Sequence, residues 1–222
     1  SPAPGASWTG WIQDDELPVE LQAWWSFENP SLPLLDRIEH REAWHFPLDD
    51  SPSIGEAESG STTNWIQFDG VSRILLLPEV PSTAEQLHSI AFTFRANSEG
   101  TENYQYIWSQ GDVGDRSSLN IYLNASGWMR TGFRAEEDNW NYRALDVEED
   151  FRDDEWHKYS LLIDWKEPKA QVYIDGQLKA EHTLGLGEFS PDGYLTIGGR
   201  SDYNPNRHFL GDVANIQIYT QD

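Results

Sequence analysis

The sequence predicts an all-β chain whose strands form two antiparallel sheets packed face to face, and three observations carry that prediction. Apolar side chains recur at every second position, and no long segment sustains a helical period. Turn chemistry follows several of these rows, as at Asn97-Ser98-Glu99-Gly100 and Ser126-Gly127. The 222 residues are 38% apolar and 13% aromatic, enough to bury a sizeable core. Many short strands with few helices cover their apolar faces by stacking as two sheets.

In chain order, residues 1–18 are expected to be a lead-in and residues 19–222 one domain. The start, Ser1-Pro2-Ala3-Pro4-Gly5, has no basic end and no long apolar stretch, and reads as a linker or the new end left by a removed signal peptide. A short helix is expected around Asp36 to Trp44, and a long surface loop over residues 46–63. Alternation then marks strands at Ile90–Arg95, at Leu119, Ile121 and Leu123, and at Met129, Thr131 and Phe133. A further row runs through Tyr159, Leu161, Ile163 and Trp165, and Trp156 just before it is expected in the core. Val172–Leu178 contains Asp175-Gly176, the pair that supplies the positive φ values of a type I′ hairpin turn. Ile216 and Ile218 form the last row.

Composition excludes several function classes. The 15 basic and 38 acidic side chains give a net charge of −23, which repels nucleic acid and anionic membrane surfaces. It suits a protein kept soluble in salt or one holding divalent cations. No apolar run approaches the roughly 18 residues that span a bilayer, so no membrane insertion is expected. With no cysteine there are no disulfides, thiolate metal sites or cysteine nucleophiles. Secreted eukaryotic domains more often carry bridges, so a bacterial module is expected, placed outside the cell, on its surface or in the periplasm.

Four segments carry a family resemblance. Leu21-Gln22-Ala23-Trp24-Trp25-Ser26-Phe27-Glu28 comes first, and Phe68-Asp69-Gly70 through Leu77-Pro78 second. Glu155-Trp156-His157 with the Val172–Gly176 hairpin comes third, and Tyr194–Arg200 followed by Phe209–Val213 fourth. In this order and spacing, over about residues 21–220, the chain resembles the laminin-G-like branch of the concanavalin A-like lectin/glucanase superfamily. That resemblance implies a jelly-roll of two curved sheets with function on the concave sheet and its rim loops. The fold hosts lectins, carbohydrate-binding modules, adhesins, hydrolases and lyases, so it implies no single activity.

Catalytic signatures of the resembling enzymes are missing. No Glu-x-Asp-x-Glu strand places carboxylates on one face, and Glu136-Glu137-Asp138 and Glu148-Glu149-Asp150 sit in apolar-poor stretches read as solvated loops. There is no Gln-x-His lyase strand, no Gly-x-Ser-x-Gly and no His-Glu-x-x-His. The chain is read as no enzyme.

A binding face follows from alternation. With Met129, Thr131 and Phe133 toward the core, Trp128, Arg130, Gly132 and Arg134 point the other way, and Asn120 and Tyr122 lie opposite Leu119 and Ile121. Trp140-Asn141-Tyr142-Arg143 adds either its aromatic pair or its Asn141/Arg143 pair. The family topology implies that Arg116, Arg200, Arg207 and His208 lie in adjacent loops. Arginine takes carboxylate or sulfate bidentately, and an aromatic beside it stacks on a sugar ring. Tyr122, Trp128, Arg130, Arg134, Trp140, Tyr142, Arg143, Arg200 and His208 are therefore the expected ligand-binding residues. The bland alternative is that the arginines pair with surface carboxylates.

The resemblance also implies a structural Ca²⁺ between the first and last strands. Glu28, Asn29, Asp36, Asp212 and Asn215 are its candidate ligands, although Ala214-Asn215 stands where the family carries an acidic pair. Asn124-Ala125-Ser126 fits a glycosylation acceptor and also a plain turn. The expected function is a non-catalytic carbohydrate-binding module, alongside other domains of a parent protein, with an acidic poly- or oligosaccharide matching the arginines. The competing readings are an adhesion domain and a divergent polysaccharide-degrading enzyme.

Overall fold

Burial follows the period of two that the sequence sets over residues 65–69 and 169–174 and, apart from the buried Ser160, over 158–164. In β11 (His157–Asp164), Tyr159, Leu161 and Ile163 are fully buried while Leu162 and Asp164 are half-buried. The same sorting in the other strands yields a core with Trp25, Trp108, Phe27, Phe68, Phe92, Phe94 and Phe209 among its largest members. Each such side chain contributes on the order of 1.5–3 kcal/mol when removed from water. The computed structural model describes residues 19–27, 37, 43–46, 54–55, 64–71, 74–77, 87–100, 103–111, 118–134, 143–164, 167, 169–183, 195–202 and 204–221.

The strands are β1 (Val19–Trp25), β2 (Trp44–Phe46), β3 (Ile54–Gly55), β4 (Trp65–Asp69), β5 (Ile74–Leu77), β6 (Leu87–Ala96), β7 (Gln105–Gln110) and β8 (Ser118–Leu123). They continue as β9 (Trp128–Arg134), β10 (Arg143–Asp150), β11, β12 (Lys169–Ile174), β13 (Gln177–Thr183), β14 (Leu195–Ile197) and β15 (Leu210–Gln221). The first sheet runs β13-β12-β11-β6-β15-β4-β3, with β1 also pairing β15; the second runs β10-β9-β8-β7-β14-β5-β2. The described strand pairs are antiparallel, and together the two sheets form a jelly-roll sandwich of the kind the resemblance implies.

One buried hydrogen bond ties the sheets together. The Thr131 hydroxyl on β9 and the Tyr159 hydroxyl on β11 lie 2.6 Å apart, both residues fully buried. Tyr159 also stacks on Phe92 of β6 at 4.8 Å, and burial pushes its phenol pKa up. The β12–β13 hairpin turns through Asp175 and Gly176 at φ of 52° and 76°, as the sequence predicts. The Asp175 carboxylate then accepts from the Lys158 amide at 2.8 Å and meets the His157 ring at 2.9 Å.

Several expectations change. Trp44 opens β2 rather than closing a helix, and Arg37 lies in a turn whose amide donates to the Trp24 carbonyl at 2.9 Å; residues 38–42 lie outside the described residues. The expected loop at 46–63 contains β3. Phe209–Val213 leads directly into the late Ile216/Ile218 row as one strand, β15, because a bulge at Ala214–Asn215 changes its phase. Asn215 takes φ 53°, which asparagine tolerates, and the extra residue lets Val213, Ile216 and Ile218 all face the core. Trp156 precedes β11 and is half-buried outside the core, its ring against Trp65. Position 156 escapes the alternation because no strand pairing fixes it. The lead-in, residues 1–18, lies outside the described residues.

Candidate functional site

Register across the second sheet lines up one row of outward side chains from four adjacent strands. Tyr106 of β7 pairs with Tyr122 of β8, Tyr122 with Arg130 of β9, and Arg130 with Asp146 of β10. Their chain neighbours Leu119, Ile121, Leu123, Met129, Thr131, Phe133, Leu145 and Val147 are buried on the other side. The Tyr106 and Tyr122 rings stack at 4.6 Å and 15°, and Tyr104 meets Tyr122 edge-on at 5.7 Å. Beside this row runs a second, of small side chains: Thr196, Ser109, Asn120, Gly132 and Ala144 on β14, β7, β8, β9 and β10. Ser109 donates to Asn120 at 2.7 Å, and the Ser201 amide donates to Ser109 at 3.2 Å, so the 198–202 loop covers one end of that strip.

The arginines divide into held and offered. Arg130 makes two bonds to the Asp146 carboxylate, at 2.5 and 2.6 Å, which raise its pKa further. Arg200 is clasped by Asp202 at 2.9 and 2.5 Å, and its guanidinium lies 5.8 Å from the Tyr106 ring. The Arg200 contact in turn holds the Asp202 carboxyl below its usual range. Arg207, on the 3-10 turn Pro205–Arg207, sits 4.5 Å over Tyr104. The Asn204 side chain caps that turn by accepting from the Asn206 amide at 3.0 Å. No carboxylate among the described residues closes on Arg207. Burial pushes the Tyr106 phenol pKa up, with Arg200 and Arg207 opposing.

Of the residues expected to bind ligand, Tyr122, Arg130 and Arg200 come together here, and half-buried Trp128 lies two positions along β9 from Arg130. Arg130 and Arg200 reach the face already paired with carboxylates, as the bland reading anticipates. His208 does not point into the site: it is 8% exposed and its ring bonds the Val71 carbonyl. Its strand-side neighbour Phe209 is in the core, which draws position 208 inward. The side chains of Arg134 and Arg143, and all of Arg116, Trp140 and Tyr142, lie outside the described residues. Tyr104, Tyr106 and Arg207 complete the face but were not among the expected ligand residues. The spacing Tyr104-Gln105-Tyr106 is itself a period-two signal for two tyrosines on one side.

Of the calcium candidates, the structure describes Asp212 and Asn215. The Asp212 carboxylate is bonded by Arg95 at 2.9 and 2.8 Å, and the Asn215 side-chain oxygen accepts from the Trp24 indole at 3.2 Å. Glu28, Asn29 and Asp36 lie outside the described residues, and among the described ones no three acidic or histidine side chains gather to hold a metal.

A family model described as the concanavalin A-like lectin/glucanases superfamily matches residues 68–222. No curated protein matches the chain by sequence. Among solved structures, domain 4 of AbnA, an extracellular arabinanase from Geobacillus stearothermophilus solved with arabinotriose, is 16% identical with a TM-score of 0.67, covering 91% of this chain and 93% of that one. The botulinum neurotoxin serotype D binding domain structure is 14% identical (TM-score 0.63), covering 91% of this chain and 48% of that one. The sialidase CBM40 of Ruminococcus gnavus is 19% identical (TM-score 0.52), covering 62% of this chain and 77% of that one. At these identities the likeness is one of fold.

Proposed function

This chain belongs to the concanavalin A-like lectin/glucanase superfamily, and from that premise we propose that it is a non-catalytic carbohydrate-binding module with its saccharide on the outer face of the second sheet. The observation that carries the reading is the meeting of Tyr104, Tyr106 and Tyr122 with the guanidinium of Arg207 on one face. The exposed Tyr104 ring and the half-buried Tyr106 ring offer flat apolar surface to the C–H face of a sugar, while Tyr122, 6% exposed, packs against both rings and holds them in place. Arg207 adds a planar donor fork suited to a sugar carboxylate or sulfate. Two fold neighbours bear on the ligand class: the AbnA domain was solved with arabinotriose, and the CBM40 module with α2,3 sialyllactose. The second of these saccharides is acidic, which matches an arginine left open on a chain of net charge −23.

The non-catalytic part of the reading rests on the carboxylates of this face. Asp146 and Asp202 are each committed to a guanidinium, so neither is placed as a general acid or a nucleophile toward a sugar on the tyrosines. An exported or surface parent protein suits a module of this kind, and among the described residues no helix is long and apolar enough to cross a membrane.

The test is an array of neutral and acidic glycans followed by affinity gels carrying the hits. Retention on an acidic glycan that is lost in both Tyr104→Ala and Arg207→Ala is the expected result. Absence of retention on any acidic glycan overturns the reading, as does release of reducing ends or unsaturated products from a bound polysaccharide.

A further inference from the structure

The outer face of the first sheet, on the far side of the sandwich, holds a separate cluster of aromatic and polar groups. Trp65 of β4 and Trp156 before β11 meet edge to face, centroids 5.8 Å apart at 65°. Arg95 of β6 approaches both rings, its guanidinium 5.5 Å from Trp65 and 4.9 Å from Trp156. Beside that guanidinium opens a cavity of about 260 Å³, whose polar wall is Gln67, Arg95, Asn97, Asp154 and Asp212.

The backbone builds this cavity from three converging strands. Asp212 of β15 faces Arg95 on one side and Gln67 of β4 on the other. Gly211 lets β15 come close to β6: a Cβ there would stand 2.2 Å from the Arg95 carbonyl oxygen. Asp154 takes a left-handed φ of 63°, its amide donating to the Ala96 carbonyl at 3.1 Å. Its carboxylate accepts from the Ser98 amide at 3.0 Å and from the Ser98 hydroxyl, which fixes it at the cavity mouth.

The chemistry of this wall differs from that of the tyrosine face. Asp212 is ion-paired with the Arg95 guanidinium at 2.8 Å, so the net charge of the wall comes from Asp154, and Gln67 and Asn97 add two amides. Sugar hydroxyls donate to carboxylates and accept from amide N–H groups, whereas an anionic sugar would face the Asp154 carboxylate beside a guanidinium already paired with Asp212. The volume lies below the roughly 300–1,000 Å³ of pockets for drug-sized ligands, which suits one sugar ring. The half-buried Trp65 and Trp156 flank the guanidinium and supply ring surface for the rest of a chain. We infer that this cavity is a second saccharide site, specific for a single neutral sugar unit and independent of the tyrosine face.

The full chain is titrated calorimetrically with two neutral probes, arabinotriose and cellotriose, up to millimolar concentration, alongside the variants Gln67→Ala, Trp156→Ala and Arg207→Ala. At least one neutral probe binds, with affinity about tenfold or more lower in Gln67→Ala and in Trp156→Ala, and unchanged in Arg207→Ala. Gln67 is exposed, so its truncation reads binding rather than folding. Should Trp156→Ala unfold, Asp154→Asn serves in its place, since asparagine keeps the left-handed turn while removing the charge. No binding of either probe, or binding that both cavity variants leave intact, overturns the inference. Loss of neutral binding in Arg207→Ala alone assigns it to the tyrosine face and overturns it equally. Failure of the tyrosine-face reading shows instead as absent acidic-glycan binding, which this titration does not read.

Discussion

The guanidinium of Arg207 lies 4.5 Å over the ring of Tyr104, its Nε buried without a hydrogen-bond partner among the described residues. Arg130 and Arg200, on the same face, are each closed off by a carboxylate. A guanidinium that no described carboxylate closes on keeps its outer N–H groups for a sugar carboxylate, which it holds bidentately. Arg207→Ala should therefore weaken binding of an acidic glycan by about ten- to a hundredfold, or roughly 1.5–3 kcal/mol. Arg207→Lys should fall between, because it keeps the charge and loses the planar fork. Calorimetric titration of the three proteins with the array hit decides it; equal affinities remove Arg207 from the site.

Arg130 has a different task. It is bonded twice to Asp146, and both side chains are half-buried, so the pair anchors β9 to β10 beside Tyr122. Truncating either partner strands the other's charge. Arg130→Ala and Asp146→Ala should each lower unfolding free energy by about 1–3 kcal/mol. The double variant should lose less than the sum, a coupling readable by urea denaturation. Glycan affinity should change less in Arg130→Ala than in Arg207→Ala.

The bond between Thr131 and Tyr159 is a buried polar link between the sheets within an apolar core. Tyr159→Phe leaves the Thr131 hydroxyl buried beside a ring edge, and should cost about 1–3 kcal/mol. Adding Thr131→Val removes the stranded hydroxyl and should recover much of that loss. Urea curves for the two single variants and the double variant test this; additive losses would show that the hydrogen bond does not couple the sheets.

The fold was legible where each strand writes its own pattern. Leu119/Ile121/Leu123 and Tyr159/Leu161/Ile163 obey period two because one face of each is fully buried, and Asp175-Gly176 encodes its turn locally. The bulge at Ala214–Asn215 was not, since a change of phase reads as the end of one row and the start of another. At the site, alternation placed Tyr122 and Arg130 on one face. It could not show that Arg130 meets Asp146, a contact set by the register of β9 on β10 across 16 residues. The approach of Arg207 to Tyr104 depends on a loop packing near the first residues of β7, which no local pattern records.

The calcium that the resemblance implies can be tested at Asp212. Asp212 is expected among the ion's ligands, yet its carboxylate is bonded by the Arg95 guanidinium. A residue serving Arg95 matters equally with or without the ion. Asp212→Asn should therefore lower Tm by the same amount in millimolar Ca²⁺ as in EDTA. A loss seen only in calcium would restore Asp212 as a ligand.

Lys158 gives stability a pH dependence of defined sign. Half-buried on β11, its ammonium is brought down to about 8 by desolvation, from an ordinary value of 10.5. Below pH 8 both folded and unfolded chains hold the proton, and the folded state bears the cost of the buried charge. From about pH 8 to about 10.5 the unfolded chain binds more protons, so this residue's contribution to stability rises with pH. Lys158→Met removes the cost and should stabilise the protein at pH 7 by about 1 kcal/mol, after allowance for the residue's partial exposure. The gain should shrink as pH rises through that window and vanish near its upper end. Taking the difference between the two proteins cancels the tyrosines that titrate there, including Tyr106 and Tyr219, whose pKa values burial raises. Urea denaturation of both proteins from pH 7 to 10.5 measures that difference, and a gain that stays constant with pH would place the Lys158 ammonium in solvent.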